Sequence, residues 1–260
     1  MLVFRLGLVL IFLYISSENK VLGRMYADKK FPSEEIADPT RMNVYFISGL
    51  GADQRVFSKL QLSGEYKVNY IKWIDPLKNE TLKHYAKRLV CQIDTTRPFH
   101  LVGLSFGGIV AAELASLVHP RQIIIISSTS TGVPVSGFYQ KLIRFLLLHP
   151  LAAPVLKSPN FLVYRYFGAN TPALKKLLKG VLEDTDGRFL KWALIRLSSW
   201  KRLTKPENLY HIHGSADRLI ALKLVQPDVV VEGAGHLMVY DRASEISDLL
   251  NNRLGTSAED

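Results

Sequence analysis

Residues 103–107 read Gly103-Leu104-Ser105-Phe106-Gly107, a Gly-x-Ser-x-Gly pattern. Chance alone produces such a match in roughly one chain in ten of this length, so its surroundings decide its weight. An apolar run at 98–104 stands directly before it, and an Ala- and Val-rich run at 106–118 directly after. Strand, sharp turn and helix is the setting that holds a serine hydroxyl exposed. The flanking glycines permit the turn. A helix N-terminus behind it favours negative charge on the reacting oxygen. A serine hydroxyl is a weak nucleophile and needs a base. His236, in Glu232-Gly233-Ala234-Gly235-His236, falls between a short apolar strand and a closing helix. A base of this kind needs an acid to orient its ring. Asp217 stands in His213-Gly214-Ser215-Ala216-Asp217, directly after another strand. Asp228 and Asp241 compete for that role, but Asp228 precedes a strand and Asp241 reads as a helix N-cap. Acyl transfer also needs donors for an oxyanion. The backbone N–H of Phe106 is one, and the N–H of Leu50, in Ser48-Gly49-Leu50-Gly51, is the expected second.

These residues need a scaffold that brings them together from across the chain. Strand-like runs are read at 43–48, 66–73, 98–104, 121–127, 209–213 and 229–232. Helical spacing of apolar residues is read at 81–93, 106–118 and 242–254. Alternation of strand and helix argues a mostly parallel sheet of about six strands with helices on both faces. The run Ile123-Ile124-Ile125-Ile126 is what a strand buried on both faces requires. About eighty residues separate the fourth strand from the fifth. Helix-like runs at 138–148, 172–182 and 188–197 make that region a helical insertion rather than a loop.

The four segments 48–51, 103–108, 213–217 and 235–236, in this order, carry a resemblance. Residues 43–254 resemble the α/β-hydrolase family, in its serine-nucleophile branch. The resemblance implies the triad Ser105, Asp217 and His236, the oxyanion donors Leu50 and Phe106, and a helical cap at about 132–206. It implies no cofactor and no metal. Family members include esterases, lipases, thioesterases, carbon–carbon bond hydrolases and acyltransferases. The expected activity is hydrolysis of an apolar carboxylic ester or thioester through an acyl-enzyme. Carbon–carbon or amide hydrolysis and acyl transfer are the alternatives, and a non-catalytic binding protein is the further one. The chain departs from the family in two ways. The oxyanion turn begins Ser48-Gly49 where His-Gly is common, and 25–41 does not read as the hairpin that often precedes the first parallel strand.

Composition sets the remaining bounds. The 260 residues are 48% hydrophobic and 22% charged, which excludes disorder, a coiled coil and a polytopic membrane protein. The single cysteine, Cys91, excludes an internal disulfide and a Cys-cluster metal site. His211 and His213 alternate on one strand and share a face, but no third ligand accompanies them as a metal would need. Trp192 and Trp200 read as packing between cap helices. The net charge is +10, and residues 132–206 carry thirteen Lys or Arg against three acids, a surplus of the same size. The plain reading is solvated helix faces, and the sharper one is attraction to anionic lipid or substrate. No motif that reads nucleic acid accompanies the charge. Residues 1–24 have a charged start and an apolar run at 6–15, the layout of a secretory signal or weak anchor, with 25–41 as a linker and 255–260 as a tail. The expectation is export or membrane association through residues 1–16 and the basic cap, or a cytoplasmic protein if the start is Met25 or Met42.

Overall fold

The structure is a computed structural model that describes residues 40–132 and 136–256. The signal-like segment 1–24, the linker up to residue 39 and the last four residues of the tail lie outside the described residues.

Six strands form one sheet: β1 (Met42–Ile47), β2 (Tyr66–Ile71), β3 (Phe99–Leu104), β4 (Gln122–Ile126), β5 (Leu209–Gly214) and β6 (Val229–Val231). Their order is β2-β1-β3-β4-β5-β6, and every pairing is parallel. The chain moves outward from β1 to β2 and then crosses back to β3. The order therefore reverses between β1 and β3, and a crevice opens at their C-terminal ends. In β1, Tyr45 and Ile47 face one layer while Val44 and Phe46 face the other, the two-residue alternation of a strand.

Helices α1 (Leu82–Leu89) and α2 (Phe106–Val118) cover the first face. The second is closed by the short α8 (Met238–Asp241) and by α9 (Ala243–Gly255), through Met238, Ile246, Leu250 and Leu254. Asp241 is the last residue of α8 and does not cap α9, whose N-cap is Arg242. The expected N-cap role of Asp241 is thus corrected: an extra helical turn ends there before the closing helix begins.

Among the described residues, five helices stand between β4 and β5: α3 (Gly137–Leu148), α4 (Ala152–Leu156), α5 (Phe161–Phe167), α6 (Pro172–Asp184) and α7 (Gly187–Ser199). The two ends of this insertion are joined by a bridge in which Gly132 and Arg202 exchange N–H···O bonds of 2.8 and 2.9 Å. Asn160, Thr171 and Asp186 cap α5, α6 and α7 with side-chain oxygens, which satisfies donors the first turns leave free. Trp192 packs the insertion onto the sheet layer rather than helix on helix within the insertion. Its ring lies 4.5 Å from that of Tyr85 on α1, and its N–H donates to the Glu80 carbonyl at 2.9 Å. Trp200 reaches Glu113 on α2 in the same way, at 3.1 Å.

Three histidines lie buried in the sheet. Burial, reinforced by Arg121, pushes His100 down to about 4. Burial, reinforced by His213, pushes His211 down to about 3. Burial also lowers His213. The unfolded chain takes up protons near pH 6.5 that these folded side chains refuse, so stability falls as pH drops below that value. The expected slope is about 1.4 kcal/mol per pH unit for each of His100 and His211. Urea unfolding at pH 7 and pH 5 checks this, and a midpoint that is unchanged or higher at pH 5 contradicts it.

Candidate active site

Ser105 sits between β3 and α2 with φ +53° and ψ −118°, a conformation few non-glycine residues adopt. Two close approaches impose it. A Cβ on Gly107 would fall on the carbonyls of Ile47 and Ser48, at the end of β1. A Cβ on Gly103 would lie 2.5 Å from the Gly107 carbonyl and from the Gly108 Cα. The first turn of α2 thus presses against two strand ends, and the residue between strand and helix is turned outward. The turn is held by bonds from the Ser105 N–H to the Ile126 carbonyl at 2.9 Å and from the Ser128 hydroxyl to the Ser105 carbonyl at 2.6 Å.

The structure brings the three expected side chains together. Ser105 Oγ lies 2.9 Å from His236 Nε2, and His236 Nδ1 lies 2.8 Å from Asp217 Oδ2. Asp217 and His236 are buried. The other oxygen of Asp217 accepts the N–H groups of Leu219 and Ile220 at 2.9 Å each, so its carboxylate cannot swing. Burial alone pushes the Asp217 carboxyl up, but the adjoining His236, its hydrogen bond, the Ile220 N–H and His213 together hold it below the usual range. A carboxylate that stays ionised fixes the tautomer: Nδ1 of His236 carries the proton, and Nε2 is free to accept from the serine hydroxyl.

The competing acids have other partners. Asp228 accepts from Lys205 Nζ at 2.7 Å and from the His211 backbone N–H at 2.7 Å. Burial pushes its carboxyl up, yet these donors keep it below the usual range. Asp241 lies exposed on α8.

His211 and His213 do share a face, and they bond to each other at 3.2 Å. His213 Nε2 donates to the Ile220 carbonyl at 2.8 Å, so its Nδ1 accepts from His211. This pair braces the loop whose Ile220 N–H holds Asp217. Sequence spacing revealed their common face but not this purpose.

Leu50 and Phe106 both line the cavity at Ser105. Among the described residues, neither N–H donates to another protein group. Two further residues position the Leu50 loop. Trp73 Nε1 donates to the Gly49 carbonyl at 3.2 Å, and Trp73 packs 5.5 Å from the Phe106 ring. Thr185, which follows α6, donates to the Gly51 carbonyl at 3.1 Å. Gly51 has φ +69°, and the Thr185 side chain fills the space where a Cβ would point. Trp73 was read as a strand residue, but β2 ends at Ile71 and releases it.

The cavity over Ser105 has a volume of about 140 Å³. Its walls are leucine, isoleucine, valine and phenylalanine from both the sheet layer and the insertion; Ser105, His236, Thr185 and Tyr166 supply its polar side chains. Among the described residues, no Asp, Glu, Lys or Arg lines it. Phe167 of α5 sets the edge of its ring against His236, with centroids 5.6 Å apart. Such a space accepts an apolar group beside a serine, a base and two unpaired N–H donors.

Residues 71–249 match the sequence profile of the Alpha/beta hydrolase family. The chain belongs to that family. Solved structures of the α/β-hydrolase fold align over most of it. One is a thermophilic esterase from Thermogutta terrifontis, 16% identical, with a TM-score of 0.64 over 85% of this chain and 96% of that one. A hydrolase from Oleispira antarctica is 15% identical, with a TM-score of 0.63 over 85% and 92%. The enol-lactonase from Burkholderia xenovorans LB400 is 15% identical, with a TM-score of 0.61 over 83% and 92%. No curated protein sequence matches the chain. These α/β-hydrolase likenesses establish a shared fold.

The two acids make a matched test. Asp217→Asn is expected to lower kcat on any turned-over ester by about 10³- to 10⁴-fold, because the amide does not hold the imidazole tautomer or its cation. Asp228→Asn is expected to change kcat by less than about threefold, since it touches neither base nor nucleophile. Parallel kinetics of the two variants check this, and equal losses contradict it.

Proposed function

We propose that the chain is a serine hydrolase that cleaves a carboxylic ester or thioester of an apolar small molecule through an acyl-enzyme. The observation that carries this reading is the unbroken Ser105–His236–Asp217 hydrogen-bonded chain opening into an uncharged cavity.

The chemistry follows from the geometry. Ser105 Oγ attacks the carbonyl carbon while His236 Nε2 takes its proton. The Asp217 carboxylate stabilises the resulting imidazolium. The N–H groups of Phe106 and Leu50 receive the oxyanion, and the low-dielectric walls strengthen those bonds. His236 then hands its proton to the leaving alkoxide or thiolate, which departs and leaves an ester on Ser105. Water enters, loses a proton to His236 and attacks that ester. Collapse returns the proton to Ser105 and frees the acid.

The cavity limits the acyl group. About 150 Å³ holds a molecule of benzene's size, so the space here suits roughly six carbon atoms. The helical insertion acts as a cap, because α5 and α6 supply the roof of that space. The absence of cationic side chains from the walls disfavours substrates whose buried part carries a carboxylate, since the charge would be desolvated without a partner.

The test is a series of p-nitrophenyl esters and acyl thioesters of increasing chain length. The expected kcat/KM rises to an optimum near about six carbons and falls beyond it. Ser105→Ala is expected to lose about 10⁴-fold or more. Turnover that survives Ser105→Ala, or no turnover of any ester or thioester by folded protein, would overturn the proposal.

A further inference from the structure

From α3 to α5 the chain carries large apolar side chains both inward and outward. Inward, Ile143 and Leu147 are buried, while Leu156, Val163 and Phe167 line the cavity. Outward, Phe138 is 72% exposed, Phe145 75%, Leu148 65%, Leu151 53% and Phe161 74%. Isolated apolar side chains are ordinary on a surface, but three large ones on α3, a fourth in the turn after it and a fifth at the start of α5 are not. Leaving them in water costs free energy that contact with an apolar phase would recover.

The charge beside them has one sign. From residue 114 to residue 182 the chain has no Asp or Glu, yet it has eight Lys or Arg. Lys141, Arg144 and Arg165 are exposed on the same helices as the outward aromatics. A protein partner of this surface would need an apolar groove rimmed by acids. A lipid bilayer needs only its ordinary makeup: acyl chains for the aromatics and phosphates for the cations. Long Lys and Arg stems reach headgroups while their neighbours sink deeper.

We propose that the outer side of α3 and the turn after it docks on an anionic phospholipid bilayer, with Phe138, Phe145 and Leu148 inserted and Lys141 and Arg144 at the headgroup phosphates. Helices α4 and α5, which follow α3 in the chain, line the cavity through Leu156, Val163 and Phe167. On the hydrolase reading, docking then brings an apolar substrate dissolved in the bilayer to the insertion that covers Ser105. The docking itself does not depend on that reading.

The test uses the full chain and a probe that reads this face alone. Cys91 is the only cysteine, so Cys91→Ser gives a clean background. An environment-sensitive thiol dye is placed at Phe145→Cys, with Glu245→Cys on α9 as the remote control. Each labelled protein is titrated with vesicles of phosphatidylcholine and phosphatidylserine, and with phosphatidylcholine alone. The expected result is a blue shift at position 145 with the mixed vesicles only, none at position 245, and reversal by high salt. Combining Lys141→Glu and Arg144→Glu is expected to weaken the apparent affinity tenfold or more. Three results would overturn the proposal: a dye at 145 that stays in water while the protein sediments with vesicles through another segment, an equal response to uncharged vesicles, or a dye already shielded before lipid is added. The last would mean that another part of the chain or a second copy covers the face. The readout is blind to turnover, so it separates failure of docking from failure of the hydrolase reading.

Discussion

The approach of the first turn of α2 to the end of β1 is the contact on which the rest of the site depends. Gly107 has no Cβ because the Ile47 and Ser48 carbonyls occupy that space. The contact does three things at once. It turns Ser105 out at positive φ. It sets the free N–H of Phe106 beside the loop that carries Leu50. It fixes the crevice at the reversal of strand order, where loops from β5 and β6 deliver Asp217 and His236. A methyl group there would push helix from strand and separate all of these together, in a close-packed interior that offers little room to relax.

Around that contact the site is polar only along one line. Asp217 spends one oxygen on two backbone N–H groups and the other on His236. Buried charge is tolerated where its lone pairs are satisfied, and here they are. The neighbouring His211–His213 pair is neutral and bonded to the same loop. The cavity beyond is apolar and uncharged, while the insertion above it carries the cations outward. Charge and greasiness are thus sorted by side: carboxylate below, apolar space between, cations on the outer surface. The insertion is tied to the loop that carries Leu50 by Thr185 and by Arg55, which bonds both Asp53 and Asp184. Any movement of α6 is felt at Gly51.

Much of this was legible in the sequence, because turns are local. Gly103, Ser105 and Gly107 declare their geometry within five residues, and all six strands stand near their expected places. Asp217 was distinguishable from Asp228 because it follows a strand rather than preceding one, but the partner that holds Asp228, Lys205, lies 23 residues away. Helices α4, α5 and α8 were missed because five, seven and four residues are too few to display a helical period. Trp73 and Thr185 were missed for a different reason. Each acts through a single bond to a distant backbone carbonyl, and no pattern in the chain marks such a bond. Glu80 is a different case: its buried carboxylate gathers Arg88, His84 and the Leu77 N–H, all within eight residues of it, near the base of α1.

The central claim is that the geometry at Ser105 makes its hydroxyl nucleophilic. A fluorophosphonate reports this directly, since it phosphonylates a serine that a base activates beside a formed oxyanion site. Intact-mass and peptide analysis of the labelled chain locates the adduct. The account predicts one adduct, on Ser105, that is absent from Ser105→Ala and strongly slowed in His236→Ala. Folded protein that takes no label, or takes it on another serine, would contradict it.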